Sequence, residues 1–173
     1  MNLQEKIVLK THGRNRQRFS RANVNIIERL ASLVAVPGHR GKKHKIITKW
    51  ASGKYSKNMK TVLETLKIIS EKTGKNPIQI LVKAVENSAP CEEITTIEYG
   101  GARYPQAVDV SPIRRIAISL RNMTHGAYDK SFGKKTKIAE ALANEIIKAS
   151  ENSNESFALM RKTESEKQAG AAR

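Results

Sequence analysis

The residues best equipped for chemistry in this chain are cations interleaved with rings. Arg14, Arg16, Arg18 and Arg21 bracket Phe19, and a second cluster runs through Arg40, Lys42, Lys43, Lys45, Lys49, Lys54 and Lys57 with Trp50 and Tyr55 among them. Cationic side chains neutralise phosphates and release condensed counterions, while planar rings stack on unpaired bases. The pattern predicts contact with RNA. A merely solvated charged face mixes both signs, yet residues 1–60 hold 15 Lys and Arg against 2 acids. An anionic membrane surface would demand an apolar helical face, which the basic stretch lacks.

Reaction chemistry finds no comparable footing. Gly133-Lys-Lys-Thr136 looks like the end of a phosphate-binding loop, but the preceding glycine is Gly126, at the wrong spacing, and no buried strand leads into it. Lys134, Lys135 and Lys137 therefore read as a basic loop. His12, His39, His44 and His125 lack Cys or carboxylate partners at zinc-site spacing, and His39 and His44 sit in a Lys/Arg cluster that repels a cation. Glu92 and Glu93 open a strand, where neighbouring side chains point to opposite faces and cannot converge on one reacting atom. No catalytic site, cofactor or metal is expected.

These residues need a scaffold, and the apolar periodicity supplies one. Asn25 starts a first helix on which Ile27, Leu30 and Val34 share a face until Pro37-Gly38. Val62, Leu63, Leu66 and Ile69 mark a second, ending near Gly74. Asn76-Pro77 opens a third, with Ile78, Leu81, Val82 and Val85 at helical spacing to about Ala89, and Ser111-Pro112 opens a fourth with Ile113, Ile116, Ala117 and Leu120. Arg114, Arg115 and Arg121 ride on that helix. Ile138, Leu142, Ile146 and Ala149 give a fifth, and Ser156 to about Gln168 a sixth. Between the third and fourth, β-rich runs flank Gly100-Gly101, a tight hairpin over about 93–110 in which Pro105 sits on an edge. The expected fold is mainly α: about six helices with a projecting two-stranded β-hairpin.

The whole chain has 173 residues, 32 Lys and Arg against 16 Asp and Glu, and a formal net charge of +16. This length fits one core, placed at 23–173, with residues 1–22 as a basic arm that orders on RNA because few apolar groups there offset the entropy of ordering. No apolar run approaches the roughly 20 residues of a membrane span, and Met1-Asn-Leu-Gln-Glu5 carries no apolar signal region, so cytoplasmic residence is expected. The single Cys91 reads as a half-buried small hydrophobe.

Several segments together resemble the S-seven family of small-subunit ribosomal proteins. They are Gly74-Lys-Asn-Pro-Ile-Gln-Ile-Leu-Val82, Glu86-Asn-Ser-Ala-Pro90, Tyr99-Gly-Gly-Ala-Arg-Tyr-Pro-Gln-Ala-Val-Asp-Val-Ser-Pro112 with Arg114-Arg115, Glu140-Ala-Leu-Ala-Asn-Glu-Ile-Ile147 and Ser156-Phe-Ala158. His12-Gly-Arg14, Arg18-Phe19, Val24-Asn-Ile-Ile-Glu-Arg-Leu30 and Gly41-Lys-Lys-His44 are similar to the archaeal and eukaryotic branch, more closely the archaeal.

The resemblance implies a monomer within the ribosome that binds the 3′ major domain of small-subunit rRNA, nucleates assembly of the head and lies near the decoding region. It places the basic arm, the Arg114-Arg115 region and the Lys134-Lys135 loop on RNA, and the hairpin tip at Tyr99, Gly100, Gly101 and Arg103 near exit-site tRNA and mRNA. Proteins of the S-nine and S-eleven families are the implied neighbours. Cys91 departs from the family's usual basic residue, and the stretch between Lys45 and Tyr55 is longer than the pattern. The residues by themselves leave two rival readings open. One is a sequence-specific DNA-binding regulator, with helix four as a recognition helix. The other is an RNA-modifying enzyme, which needs a cofactor pocket.

Overall fold

The computed structural model describes Thr11 and residues 20–37, 39–40, 43–44 and 54–173. The arm residues Arg14, Arg16 and Arg18, and Lys42, Lys45 and Lys49, lie outside the described residues. After a 3-10 turn at Ser20–Asn23 come α1 (Ile26–Val34), β1 (His39–Arg40), β2 (Lys43–His44), α2 (Tyr55–Thr73) and α3 (Pro77–Ser88). The chain continues through β3 (Glu92–Tyr99), β4 (Ala102–Asp109), α4 (Pro112–Ser131), α5 (Ile138–Ser150) and α6 (Phe157–Ala171). β1 and β2 form a two-residue antiparallel pair that the basic, unpatterned sequence did not announce.

Local chemistry accounts for most boundaries. Asn25 and Asn76 each accept from the backbone N–H two residues on, at 3.0 Å, capping α1 and α3, and Pro77 sits where its missing N–H costs nothing. Gly74 ends α2 in the left-handed region at φ 64°. Ser111 departs from expectation: Pro112 opens α4, but the Ser111 hydroxyl makes no capping bond. α1 stops at Val34, three residues before Pro37.

α5 is the centre of the bundle, packed on α2, α3 and α4, with α1 closing the far side against α2 and α4. Leu30, Val62, Leu66, Ile69, Leu81, Leu120, Met123, Leu142 and Ile146 are fully buried in one continuous core. Leu63, Val82 and Ile113, which helped to mark their helices by apolar spacing, lie outside that core: Leu63 and Val82 are about two-fifths exposed and Ile113 more than half. Leu63 and Val82 each follow a truly buried residue, Val62 and Leu81, and one step on a helix turns a side chain about 100° away. Ile80 and Ala84 take the inward positions of α3 instead.

α6 is seated through a carboxylate that sequence reading missed. Glu145 on α5 is completely buried; it accepts from Ser156 Oγ at 2.8 Å and from Ala158 N at 3.2 Å, and pairs with Lys130 Nζ at 2.5 Å. A negative charge at a helix N-terminus is favourable electrostatically and fills donors the helix leaves open. Gly126 on α4 makes the approach possible, because a Cβ there would stand 2.7 Å from Phe157 Cβ.

The hairpin has its expected form, one residue longer at its start and one shorter at its end. Pairing runs from Glu92 opposite Asp109 to Tyr99 opposite Ala102, and Gly100 and Gly101, at φ 58° and 82°, make the tight turn. Cys91, at its root, is exposed rather than half-buried.

Candidate nucleic-acid interface

The described basic candidates fall into two groups separated by the length of α4. From Arg114 to Ser131 the helix rises roughly 25 Å at 1.5 Å per residue. At its C-terminal end, a groove of about 800 Å³ is lined by Lys57 of α2 and by Lys134, Lys135 and Lys137 of the α4–α5 loop. Val34 and Pro37 at the end of α1, with Tyr128, Phe132 and Ile138, form its apolar floor and walls. The three loop lysines are exposed, and Phe132, 41% exposed, stands beside them with its ring 5.5 Å from that of Tyr128. Four cations against the single carboxylate of Glu64, with an accessible ring, line one concavity and suit a phosphate backbone and a stacked base. Sequence reading found the lysines but missed Phe132, whose only signal was its place at the end of an amphipathic helix.

Lys54 and Lys57 occupy the start of α2, both exposed. Beside them, the Tyr55 phenol is pushed up to about 12 by burial and by the neighbouring Glu28 carboxylate, so it stays neutral. Glu28 is fully buried and accepts from Thr11 Oγ1, which ties residue 11 to α1.

At the other end of α4 the geometry is different. Arg114 Nε and one terminal nitrogen donate to the two oxygens of Glu93, each at 2.7 Å, so the guanidinium grips the hairpin root and keeps only its outer edge for another acceptor. The Arg114 fork holds the Glu93 carboxyl below the ordinary carboxylate range, with burial opposing and Arg121 adding to the lowering; Arg114 is raised in turn. Arg115 reaches Cys91 Sγ at 3.4 Å, while Arg121 is exposed on the next turns. Nothing in the sequence links Glu93 with Arg114, because they stand 21 positions apart with nearly all of the hairpin between them.

The hairpin tip projects into solvent. Tyr99 is 82% exposed, and Arg103 lies 3.5 Å from Glu98 on the same end. Ile97 and Tyr104 face each other across the ladder, both exposed, so the outer hairpin carries a ring and aliphatic surface with a cation at its end. Arg21, Arg40 and Lys43 fall in the described backbone at the 3-10 turn and the β1–β2 pair. Among the described residues, no helix is long and apolar enough to cross a membrane, and no group of three or more His, Cys, Asp or Glu is placed to hold a metal.

A helical bundle with a projecting hairpin and basic patches narrows the possibilities, and comparison with known proteins decides among them. The family model described as ribosomal protein S7p/S5e matches residues 3–173. The chain belongs to this family. Its relatives include the small ribosomal subunit protein uS7 of Nanoarchaeum equitans, 48% identical across all of this chain and 88% of the relative. The uS7 proteins of Picrophilus torridus, 43% identical over 100% and 87%, and Methanothermobacter thermautotrophicus, 44% over 96% and 84%, are similar in extent. This S7p/S5e chain is of the archaeal type that its N-terminal segments suggested, and its family is one of ribosomal proteins rather than enzymes. In an S7p/S5e protein the α4–α5 groove and the hairpin are the two surfaces that call for a role.

Proposed function

We propose that this chain is a structural constituent of the small ribosomal subunit that binds its rRNA directly, in the 3′ major domain, and nucleates assembly of the head. The observation that carries the reading is the α4–α5 groove, where Lys57, Lys134, Lys135 and Lys137 surround an apolar floor with Phe132 at its rim. The N-terminal cations Arg14, Arg16, Arg18, Arg21, Arg40, Lys42, Lys43, Lys45 and Lys49 extend that contact, with Lys54 at the start of α2. Arg115, Arg121 and the outer edge of Arg114 supply a second one. The hairpin tip, through Tyr99, Gly100, Gly101 and Arg103, approaches exit-site tRNA and mRNA near the decoding region, and neighbours of the S-nine and S-eleven families flank it. The chain acts as one copy per subunit, in the cytoplasm.

The test is binding of the purified chain to a transcript of the 3′ major domain, against an equally long transcript of another rRNA domain and a DNA duplex. Preference for the 3′-domain transcript by a monomer supports the proposal. Preference for duplex DNA by a dimer would transfer the chain to the regulator class. Deleting Tyr99 to Arg103 and rejoining the strands should leave this affinity intact while altering retention of exit-site tRNA on reconstituted subunits.

A further inference from the structure

A two-stranded ribbon has little stability of its own and no fixed direction. Here the outer part of the hairpin, residues 95–106, is exposed along its whole length, so its own side chains cannot set its angle to the bundle. Burial begins only at the root, where Glu92, Glu93, Ile94 and Ala107 are half-covered and Val110 is buried.

Adjacent residues of a strand present opposite faces, and the two acids at the start of β3 are each held from their own side. On one face, Arg114 of α4 binds Glu93 through two parallel hydrogen bonds of 2.7 Å. On the other, Arg173 pairs with the Glu92 carboxylate, and along the outer edge of β3 Ser165 Oγ of α6 donates to the Glu92 carbonyl at 3.3 Å. Just before the strand, Glu166 of α6 accepts from Cys91 N at 3.0 Å, while Val110 N donates to Cys91 O at 2.9 Å and closes the ladder. Two-point Arg–carboxylate contact is the geometry in which an accessible ion pair is directional rather than merely attractive.

We infer that Arg114, Ser165, Glu166 and Arg173 are positioning residues that hold the hairpin root through the side chains of Glu92 and Glu93 and through the backbone at the edge of β3, and so set the direction in which the tip points. The leverage is large: Glu92 to Tyr99 spans roughly 23 Å at about 3.3 Å per residue, so a slip of about 10° at the root displaces the tip by roughly 4 Å. This distance exceeds the tolerance of a hydrogen bond. The C-terminal half of α6, which contributes little apolar surface, thereby gains a task, and Arg173 becomes part of the hairpin's mounting. The inference rests on the preceding section only for what the tip touches.

The experiment measures hairpin direction and order by NMR on the full-length chain. Parent, Arg114→Ala, Arg114→Lys, Arg173→Ala and the charge swap Glu93→Arg with Arg114→Glu are compared by residual dipolar couplings and amide order parameters. In the parent, the amides of residues 94–97 and 104–107 should show order parameters near 0.85 and couplings that fit the same alignment as the helices. Arg114→Ala should lower those values below about 0.6 and break the shared alignment. Arg173→Ala should lower them less, Arg114→Lys should stay impaired because an ammonium cannot form the fork, and the swap should recover the parent pattern. Order parameters and couplings unchanged in Arg114→Ala, or a parent hairpin that already moves independently of the helices, would overturn the inference. Failure of the parent to bind the 3′-domain transcript would end the reading of the previous section and leave this measurement standing.

Discussion

Replacing Lys134, Lys135 and Lys137 together by alanine strips three of the four cations from the α4–α5 groove while leaving its shape in place. All three side chains are exposed and have no ion-pair partner among the described residues, so the fold should barely register the change. Surface substitutions of this kind shift stability within about 0.5 kcal/mol. Each cation that neutralises one phosphate contributes about 0.7 to 0.9 to the slope of log affinity against log salt. A parent slope near −4 or steeper, from about six neutralised phosphates, should therefore become shallower by about 2 to 3 units in the triple variant. At 0.1 M monovalent salt the same contacts correspond to roughly a hundredfold to several hundredfold loss of affinity. The assay is filter binding to the 3′-domain transcript across ionic strength, with circular dichroism to verify the fold. An unchanged slope and affinity in a folded triple variant would refute the placement of RNA on this groove.

Other expectations follow from the interior and the hairpin root. Glu145→Gln keeps the shape but sets a neutral amide against Lys130 Nζ and weakens the seat of α6; a loss of about 2 kcal/mol, read from urea unfolding, is expected, and a change within about 0.5 kcal/mol would contradict it. Gly126→Ala adds a methyl 2.7 Å from Phe157 Cβ; overpacking of about 1–3 kcal/mol outweighs a helix gain of up to about 1 kcal/mol, so the thermal midpoint should fall by several degrees. Because Arg114 lowers the Glu93 carboxyl in the folded state, the contact contributes above the ordinary carboxylate range and is lost only as pH falls through the lowered folded value. An NMR titration should find the Glu93 midpoint below that of exposed carboxylates, and Arg114→Ala should move it up.

What sequence could and could not disclose follows from the range of the interactions involved. The caps at Asn25 and Asn76 and the diglycine turn at Gly100–Gly101 are settled within a few residues of backbone, so composition alone marks them. Helical phase over a whole face is equally local, which is why Leu30, Leu66, Leu81, Leu120 and Ile146 are readable as core. Single apolar residues at the margin of a stripe, such as Val82 and Leu63, depend on which neighbouring helix lies beside them, and periodicity carries no such information. The long-range polar contacts were beyond reach for the same reason. Glu145 and Ser156, Glu93 and Arg114, and Glu92 and Arg173 meet only because the bundle brings distant segments together. The basic loop was legible as charge, but its union with Lys57 and Phe132 in one groove required the packing of α2 against the α4–α5 turn.

The central claim is that this chain works as part of the small ribosomal subunit, and sedimentation of native cell extract through a sucrose gradient tests it most directly. The account predicts that the chain travels with the small subunit and with whole ribosomes in low salt, and is released to the top of the gradient only at high salt. Recovery of the chain near the top in low salt, or with DNA in fractions that lack small-subunit rRNA, would contradict it.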